Sequence, residues 1–520
     1  MCSTMQRCLE EYPRRWRVYA GVFGTFVCLL ATRTSSLAAV PPVIYGYTMS
    51  DSAPERELMA SLQGIVARTS PEVHLGKSFW LDELVRRFPE TKVEWSADPA
   101  KFLKRYRSQI AGYVMFDEKS INAATSVAGV LGAVMVDAST LYFATDAGLA
   151  QVADARGKQR EWAYNKYGGY FNRDYIFVQA PRFTHQLRDF CIYKSGLMFY
   201  DDPAWENYFA RQNPQSRVFG WGPDESSFFS RASKNNLMGV PADWLGNGSV
   251  LCQWKQPLEK QYTHTPVDAK AESDVHYVAF VLSDGDNVQW MVGGYLDKKF
   301  WGSPQRGAFT MNWDMTPSLA EINPLEFNYL YRTASRGKVK DYFVNAGGPG
   351  LMYPSEYPDI AAFAAANGAA MEAIDQSVIS VLDNEYAADK LEAITADPRV
   401  LGTMLKVGDA YKGRKGEISW FGGKPCVSVK YTLWDRFDTP ASLIRDINAL
   451  PRDPTHDQKS YSIVNVHPWS EGFSGDPLTN VRQVVDGLDP KVRVVTLEEM
   501  MIYLRKHFGT PVSGEATVTK

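Results

Sequence analysis

The residues in this chain best placed to do chemistry are carboxylates set in glycine turns at the ends of apolar runs. The run Tyr277–Leu282 ends in Ser283-Asp284-Gly285-Asp286-Asn287. Two carboxylates two residues apart, with Gly285 free to turn the backbone between them, can hold and deprotonate a water. Turns and calcium loops use the same triplet, so the spacing alone does not select catalysis. A second run ends in Asn312-Trp313-Asp314-Met315, and later ones lead to Tyr431, Trp434 and Asp435, then to His467, Pro468 and Trp469. In the first half, Val218-Phe219-Gly220-Trp221-Gly222-Pro223 leads into Asp224 and Glu225. For that acidic pair, an ordinary solvated loop in which Asp224 caps a helix is the plain alternative. Aromatic residues at successive run ends look like the lining of a cleft, although each one alone could equally be core.

Other chemistries lack their residues. No phosphate loop, dinucleotide fingerprint or G-x-S-x-G elbow occurs, which removes kinases, dehydrogenases and serine hydrolases. A zinc-dependent deacetylase would need histidines beside its aspartate. The chain has 7 His, none in an H-x-x-x-H pair, although His467 stands at a late run end. Cys191, Cys252 and Cys426 lie far apart with no C-x-x-C pattern, permit one disulfide at most, and read as structural. A formal charge of −3 gives no reason to expect nucleic acid or an anionic membrane as partner. The 14 Trp, 27 Tyr and 26 Phe would suit stacking on sugar rings as well as filling cores.

The elements that must position these residues follow from length and periodicity. At 520 residues, two domains are expected. Residues 40–268 alternate short strands and helices, which predicts small α/β units. Ser52 and Glu55 read as a capping box before helically spaced Leu58, Met59, Leu62, Ile65 and Val66. The polar, aperiodic stretch Gln256–Ser273 reads as a linker. Residues 272–510 then offer eight strand candidates: Tyr277–Leu282, Ala308–Met311, Tyr342–Val344, Val378–Leu382, Leu401–Leu405, Cys426–Tyr431, Ser462–Val466 and Val492–Val495. Helices separate most of them. One is announced by Thr439-Pro440, and another is expected to end near Asn367-Gly368. Such alternation points to a parallel β/α barrel, with a doubly wound open sheet as competitor. Residues 1–38 read as a signal peptide: Arg14, Arg15 and Arg17 precede an apolar run from Val18 to Ala31, shorter than the ~20 residues a spanning helix needs, and small residues follow. No later segment is apolar enough to span, so secretion or a periplasmic or cell-surface place is expected, without stable membrane insertion. Asn247-Gly248-Ser249 is a glycosylation sequon, usable only in a eukaryotic secretory route.

Gly348-Pro349-Gly350-Leu351-Met352-Tyr353-Pro354 resembles the G-x-G-Y-x-Y-P signature of the GxGYxYP family, with Leu351 where the signature has tyrosine. The resemblance extends over most of the chain, including the Asp284-Gly285-Asp286-Asn287 strand end and the acidic loop at Trp221–Glu225. It implies an exported protein of polysaccharide breakdown, with an N-terminal domain of divergent α/β repeats and a C-terminal seven-stranded β/α barrel. One of the eight strand candidates is then surplus. It also implies a site in the cleft between domains, made by a Glu from the first domain and an Asp-x-Asp pair from the barrel. Asp284 and Asp286 match the pair; Glu225 matches the Glu, with Asp224 as its rival. The expected reaction is glycosidic hydrolysis, with Glu225 as acid and the aspartates as base, in the inverting manner. Trp221, Asn287, Trp313, Asp314, Tyr353, Trp434, Asp435, His467 and Trp469 are the expected substrate contacts, and Leu351 marks a changed one. No cofactor is implied, a structural calcium staying open. A carbohydrate-binding protein without turnover, and less so a deacetylase, are the alternatives.

Overall fold

The protein is described from a computed structural model over residues 40–509, apart from 201, 202, 204, 409, 410, 412 and 471–475. The expected leader at 1–38 lies outside the described residues. The first half builds three small parallel sheets. In the first, β1 (Val43–Tyr47) lies between β2 (Val73–Leu75) and β3 (Lys92–Ser96). In the second, β4 (Tyr113–Met115) lies between β5 (Val134–Val136) and β6 (Gln151–Asp154). The third holds β7 (Tyr175–Val178), β8 (Leu197–Phe199), β9 (Arg217–Gly220) and β10 (Met238–Pro241) in the order β10-β9-β7-β8.

Sheets this small cannot bury both faces alone, so the helices between them pack closely and share one core. Gly64, in the helix Ala53–Val66, allows that approach: a Cβ there would stand 2.4 Å from the Asp189 carbonyl oxygen. The Ser52 hydroxyl accepts from the Glu55 amide at the head of this helix, as its capping pattern predicts. Asn247 staples the first unit to the third. Its Oδ1 accepts from Gln63 Nε2 at 2.7 Å and from the Leu75 amide at 2.8 Å, and its Nδ2 donates to Leu75 O. The sequon's amide is therefore already committed within the fold.

The second half is one large curled sheet. Its strands are β11 (His276–Leu282), β12 (Met311–Met315), β13 (Asp341–Ala346), β14 (Val378–Asp383), β15 (Gly402–Val407), β16 (Ile418–Phe421), β17 (Lys424–Ser428), β18 (Tyr431–Leu433), β19 (Tyr461–Val466) and β20 (Val492–Val494). The order is β16-β17-β15-β14-β13-β12-β11-β19-β18, with β20 alongside the start of β11. All pairs are parallel except β16 with β17. Between β17 and β18, the Val429 amide donates to Leu405 O and the Lys430 amide to Ile463 O. Helices cover the outside, so both faces of most of these strands are buried and read as near-continuous apolar runs, while the edge strands β16 and β20 stay half-buried.

Several expectations shift. The strand expected at Ala308–Met311 begins at Met311 and runs to Met315. The helix expected to stop near Asn367-Gly368 continues over Ile360–Ala373. Gly368 serves close packing there, since a Cβ would meet Asp397 Oδ1 at 2.5 Å, and Asn367 accepts from Asn345 Nδ2 at 3.1 Å. The stretch expected to be a loose linker is a pinned strap. Gln261 bonds Asp375 and Phe343, Thr263 bonds Asp341 O, and the His264 ring and the Thr265 amide both meet Glu498. The three described cysteines are free and buried.

Candidate active site

Side chains at the C-terminal ends of parallel strands face a common rim, and here that rim is lined with acids. β11 runs into the Asp284–Asp286 turn. Asp284 has φ 66°, a left-handed value that aspartate tolerates better than most residues. Gly285 admits no side chain at all, because a Cβ would lie 1.7 Å from Asp314 O. Its carbonyl accepts from the Thr316 amide at 2.9 Å, seating the turn on the end of β12. Ser283 Oγ donates to Asp284 Oδ2 at 3.0 Å, and Asn287 caps the next helix by accepting from the Trp290 amide at 3.2 Å.

Behind the turn lies a buried ion pair that the sequence reading did not anticipate. Lys406 Nζ, at the end of β15, donates to Asp314 Oδ2 at 2.9 Å, and Ser380 Oγ donates to the same oxygen at 3.3 Å. Burial alone would lower the Lys406 pKa, but Asp314, Asp286 and Asp284 together outweigh it and raise it. Burial pushes Asp286 up to about 7, and the Asp284 charge adds to the push while Lys406 opposes it. A lysine inside the apolar run Leu401–Val407 was the available signal. Tyr411 was missed as well. Burial raises its pKa, and the charges of Asp284, Glu225 and Asp286 add to that rise.

Glu225 reaches the rim from the first half, as the first residue of the helix Glu225–Lys234 after β9. Its side chain is open to solvent on one side, yet enclosing atoms, and after them Asp284, raise its pKa. Asp224 is the N-cap, accepting from the Ser227 amide at 2.9 Å, and that bonding lowers its pKa. The capping role therefore belongs to Asp224, and the role beside the aspartates to Glu225.

His467 completes this wall. Its Nδ1 accepts from the Trp469 amide at 3.2 Å, which assigns the proton to Nε2, 3.7 Å from Asp284 Oδ2. Burial lowers its pKa, and the Asp284 charge acts in the opposite sense. The Trp434 ring stacks on it at 3.6 Å and 3°. Asp435 is exposed and accepts from Ser470 Oγ. Trp469 is 46% exposed and braced edge-on by Trp290.

Other expected contacts are placed differently. Trp313 is fully buried and donates to Asp341 Oδ1 at 2.9 Å. Neighbours on a strand face opposite ways, so Asp314 turns toward Lys406 and Trp313 toward Asp341. Asp314 is buried beneath the turn rather than open to a substrate. Tyr353 is buried against Phe229, with its amide donating to Ser233 Oγ, and forms the wall beside Glu225. Leu351 is buried too. It pairs antiparallel with Gly239 of β10 through two 2.8 Å bonds, so the departure from tyrosine falls in packing rather than on an exposed contact. Trp221 and Asn287 line an 890 Å³ cavity beside the acids. Among the described residues, no group of three or more His, Cys, Asp or Glu side chains is arranged to hold a metal ion.

Three small α/β units and a curled parallel sheet with an acidic rim define an α/β protein with a cleft at its strand ends. The chain belongs to the GxGYxYP family. Four models match in succession: the first domain over 43–108, the second over 110–171, the third over 173–253, and the "GxGYxYP putative glycoside hydrolase C-terminal domain" over 274–505. A crystal structure of a "putative hydrolase" from Bacteroides thetaiotaomicron VPI-5482 shares the fold, with a TM-score of 0.80 at 23% identity, over 90% of this chain and 95% of that one. No curated protein matches the chain.

Proposed function

We propose that this protein hydrolyses glycosidic bonds of a polysaccharide or oligosaccharide, with Glu225, Asp284 and Asp286 as its reacting carboxylates. One observation carries the reading: acids from two segments far apart in sequence share one rim, where burial and then the Asp284 charge raise the proton affinity of both Glu225 and Asp286. Cleavage needs an acid that holds its proton near neutral pH and a second carboxylate for the water or the sugar carbon. Asp286, pushed up to about 7, and Glu225, raised by enclosure, are the proton donors on offer. Asp284, oriented by Ser283 and facing His467 Nε2, takes the base role. Lys406 and Asp314 hold the floor beneath.

The curled sheet is read here as a seven-stranded barrel. Counting Lys424–Leu433 as one strand leaves β15 on one side and β19 on the other, which the Val429 and Lys430 amide bonds support. We take residues 40–268 and 272–510 as its two domains. The leader-like start supports export, and among the described residues no helix is long and apolar enough to cross a membrane. No cofactor enters the mechanism. The test is reducing-end release from a panel of polysaccharides by the protein and by Asp284→Asn, with and without a chelator. Product from the first and none from the second supports the reading. No product from either, on any substrate, removes the hydrolase.

A further inference from the structure

The cavity beside the acids is built from strand ends of both halves, and most of its wall has no part in the chemistry above. It is bordered by residues following β1, β7, β9, β10 and β11, and at 890 Å³ it falls in the range of roughly 300–1,000 Å³ typical of ligand pockets. Trp221 and Asn287 join it to the carboxylates. Its most telling feature is Trp244, a large aromatic left 61% exposed. That ring is not loose. Its amide donates to Gln289 Oε1 at 2.7 Å, and Phe183 braces it edge-on at 4.7 Å, with the Arg182 guanidinium over the Phe183 ring.

The shelf carrying it is fixed from behind. Gln179, fully buried, donates through Nε2 to both Gln186 O and Asp243 O at 2.9 Å. Two acceptors on this shelf, Asp243 Oδ1 and Gln186 Oε1, are buried with no partner among the described residues. Both atoms are closed to solvent, so the acceptors that a hydroxyl-rich ligand would meet are the open polar groups of the lining, Asp51 and Gln289 among them, directly or through water. A rigid exposed aromatic face next to such acceptors matches a pyranose ring, whose C–H face stacks while its hydroxyls donate.

We infer that this cavity is a binding subsite for several uncharged sugar rings of the chain being cut, with Trp244 as its stacking platform. The inference rests on the hydrolase reading for the identity of the chain. Charge balance selects uncharged rings. Arg56 and Arg182 are matched by Asp51 and Asp243 around the cavity, and the acids beyond Asn287 would repel a polyanion. His185 adds no positive charge at neutral pH, since burial, then Arg56 and Arg188, push it down to about 4. Arg56 is itself engaged, donating to the Ser50 and Asp51 carbonyls at 2.8 Å.

The test is calorimetric titration of the Asp284→Asn protein, which binds without cutting, with cello-, xylo-, manno- and maltohexaose and with an oligogalacturonate. One neutral hexaose is expected to bind. Adding Trp244→Ala should weaken it at least 10-fold without moving the melting temperature, and Gln289→Leu should weaken it less. Binding unchanged by Trp244→Ala, binding of the oligogalacturonate alone, or no binding by any probe overturns the subsite. A hexaose that binds through Trp244 yet is never cut by the unaltered protein keeps the subsite and removes the hydrolase. A hexaose that is cut with an unchanged KM in Trp244→Ala does the reverse.

Discussion

Two loops leave the curled sheet at strand ends separated by one strand, β12, and do opposite work. The turn after β11 holds its groups half-buried at the rim: Asp284 in a left-handed conformation, Asp286 pushed toward neutrality by burial, and a buried lysine beneath. The signature loop after β13 closes itself off. Gly348 has φ 92°, and a Cβ there would meet the Phe363 ring at 2.7 Å. Gly350 lets the chain approach Met238, and Leu351 pairs with Gly239. Ser318 Oγ and Thr316 Oγ1 bind the Pro349 and Gly348 carbonyls. The segment that marks the family is thus a clamp that docks β10 of the first half onto the sheet, and so brings Glu225 to the rim. The acids, which need little sequence to specify, are the groups to which the proposed hydrolysis assigns the chemistry, and the clamp fixes the frame around them.

The sharpest break between the loops is expected from Asp284→Asn. It should lower turnover about 10³-fold or more at unchanged folding, read by product release and circular dichroism. Gly348→Ala should do the converse, costing about 2–3 kcal/mol of stability by backbone strain and overpacking, as measured by denaturant midpoint. Lowered turnover in that variant should recover wherever the protein stays folded.

Asp286 tests the charged turn through pH. Its folded pKa of about 7 lies above the value of about 4 expected in the unfolded chain, so the folded state binds the extra proton between them. Its contribution is therefore full below pH 4 and lost as pH rises through 7. Asp286→Asn should stabilise the protein more at pH 8 than at pH 4, read as a larger rise in melting temperature. Equal melting shifts at both pH values would contradict this placement. Turnover of the unaltered protein should fall above about pH 7, as the same group loses its proton. The smallest effect belongs to Asp435→Ala, exposed at the rim edge, which should change stability by no more than about 0.5 kcal/mol.

Much of this was legible before any coordinates. Apolar runs bounded by turn residues located most strands of the large sheet, because buried parallel strands are apolar on both faces. The acids at Asp284, Asp286 and Glu225 stood out as polar residues at the ends of such runs. What failed did so for physical reasons. Trp313 and Asp314 were both expected at the rim, although strand alternation permits only one of them there. Lys406 sits inside an apolar run, where a cation signals a buried partner, but that partner is 92 residues away in sequence. Tyr411 and Trp244 occupy loops whose pattern carries no period, so nothing local told their exposure. The Gln256–Ser273 strap looked loose because its anchors, Asp375, Asp341 and Glu498, are long-range.

The central claim is that Glu225 and Asp284, from opposite halves, belong to one catalytic unit. The most direct measurement is product release by Glu225→Gln, Asp284→Asn and the double variant, each verified as folded. If the two act together, each single change removes most of the turnover and the double falls little further. Full activity in Glu225→Gln, or losses that simply multiply in the double variant, would contradict the shared site.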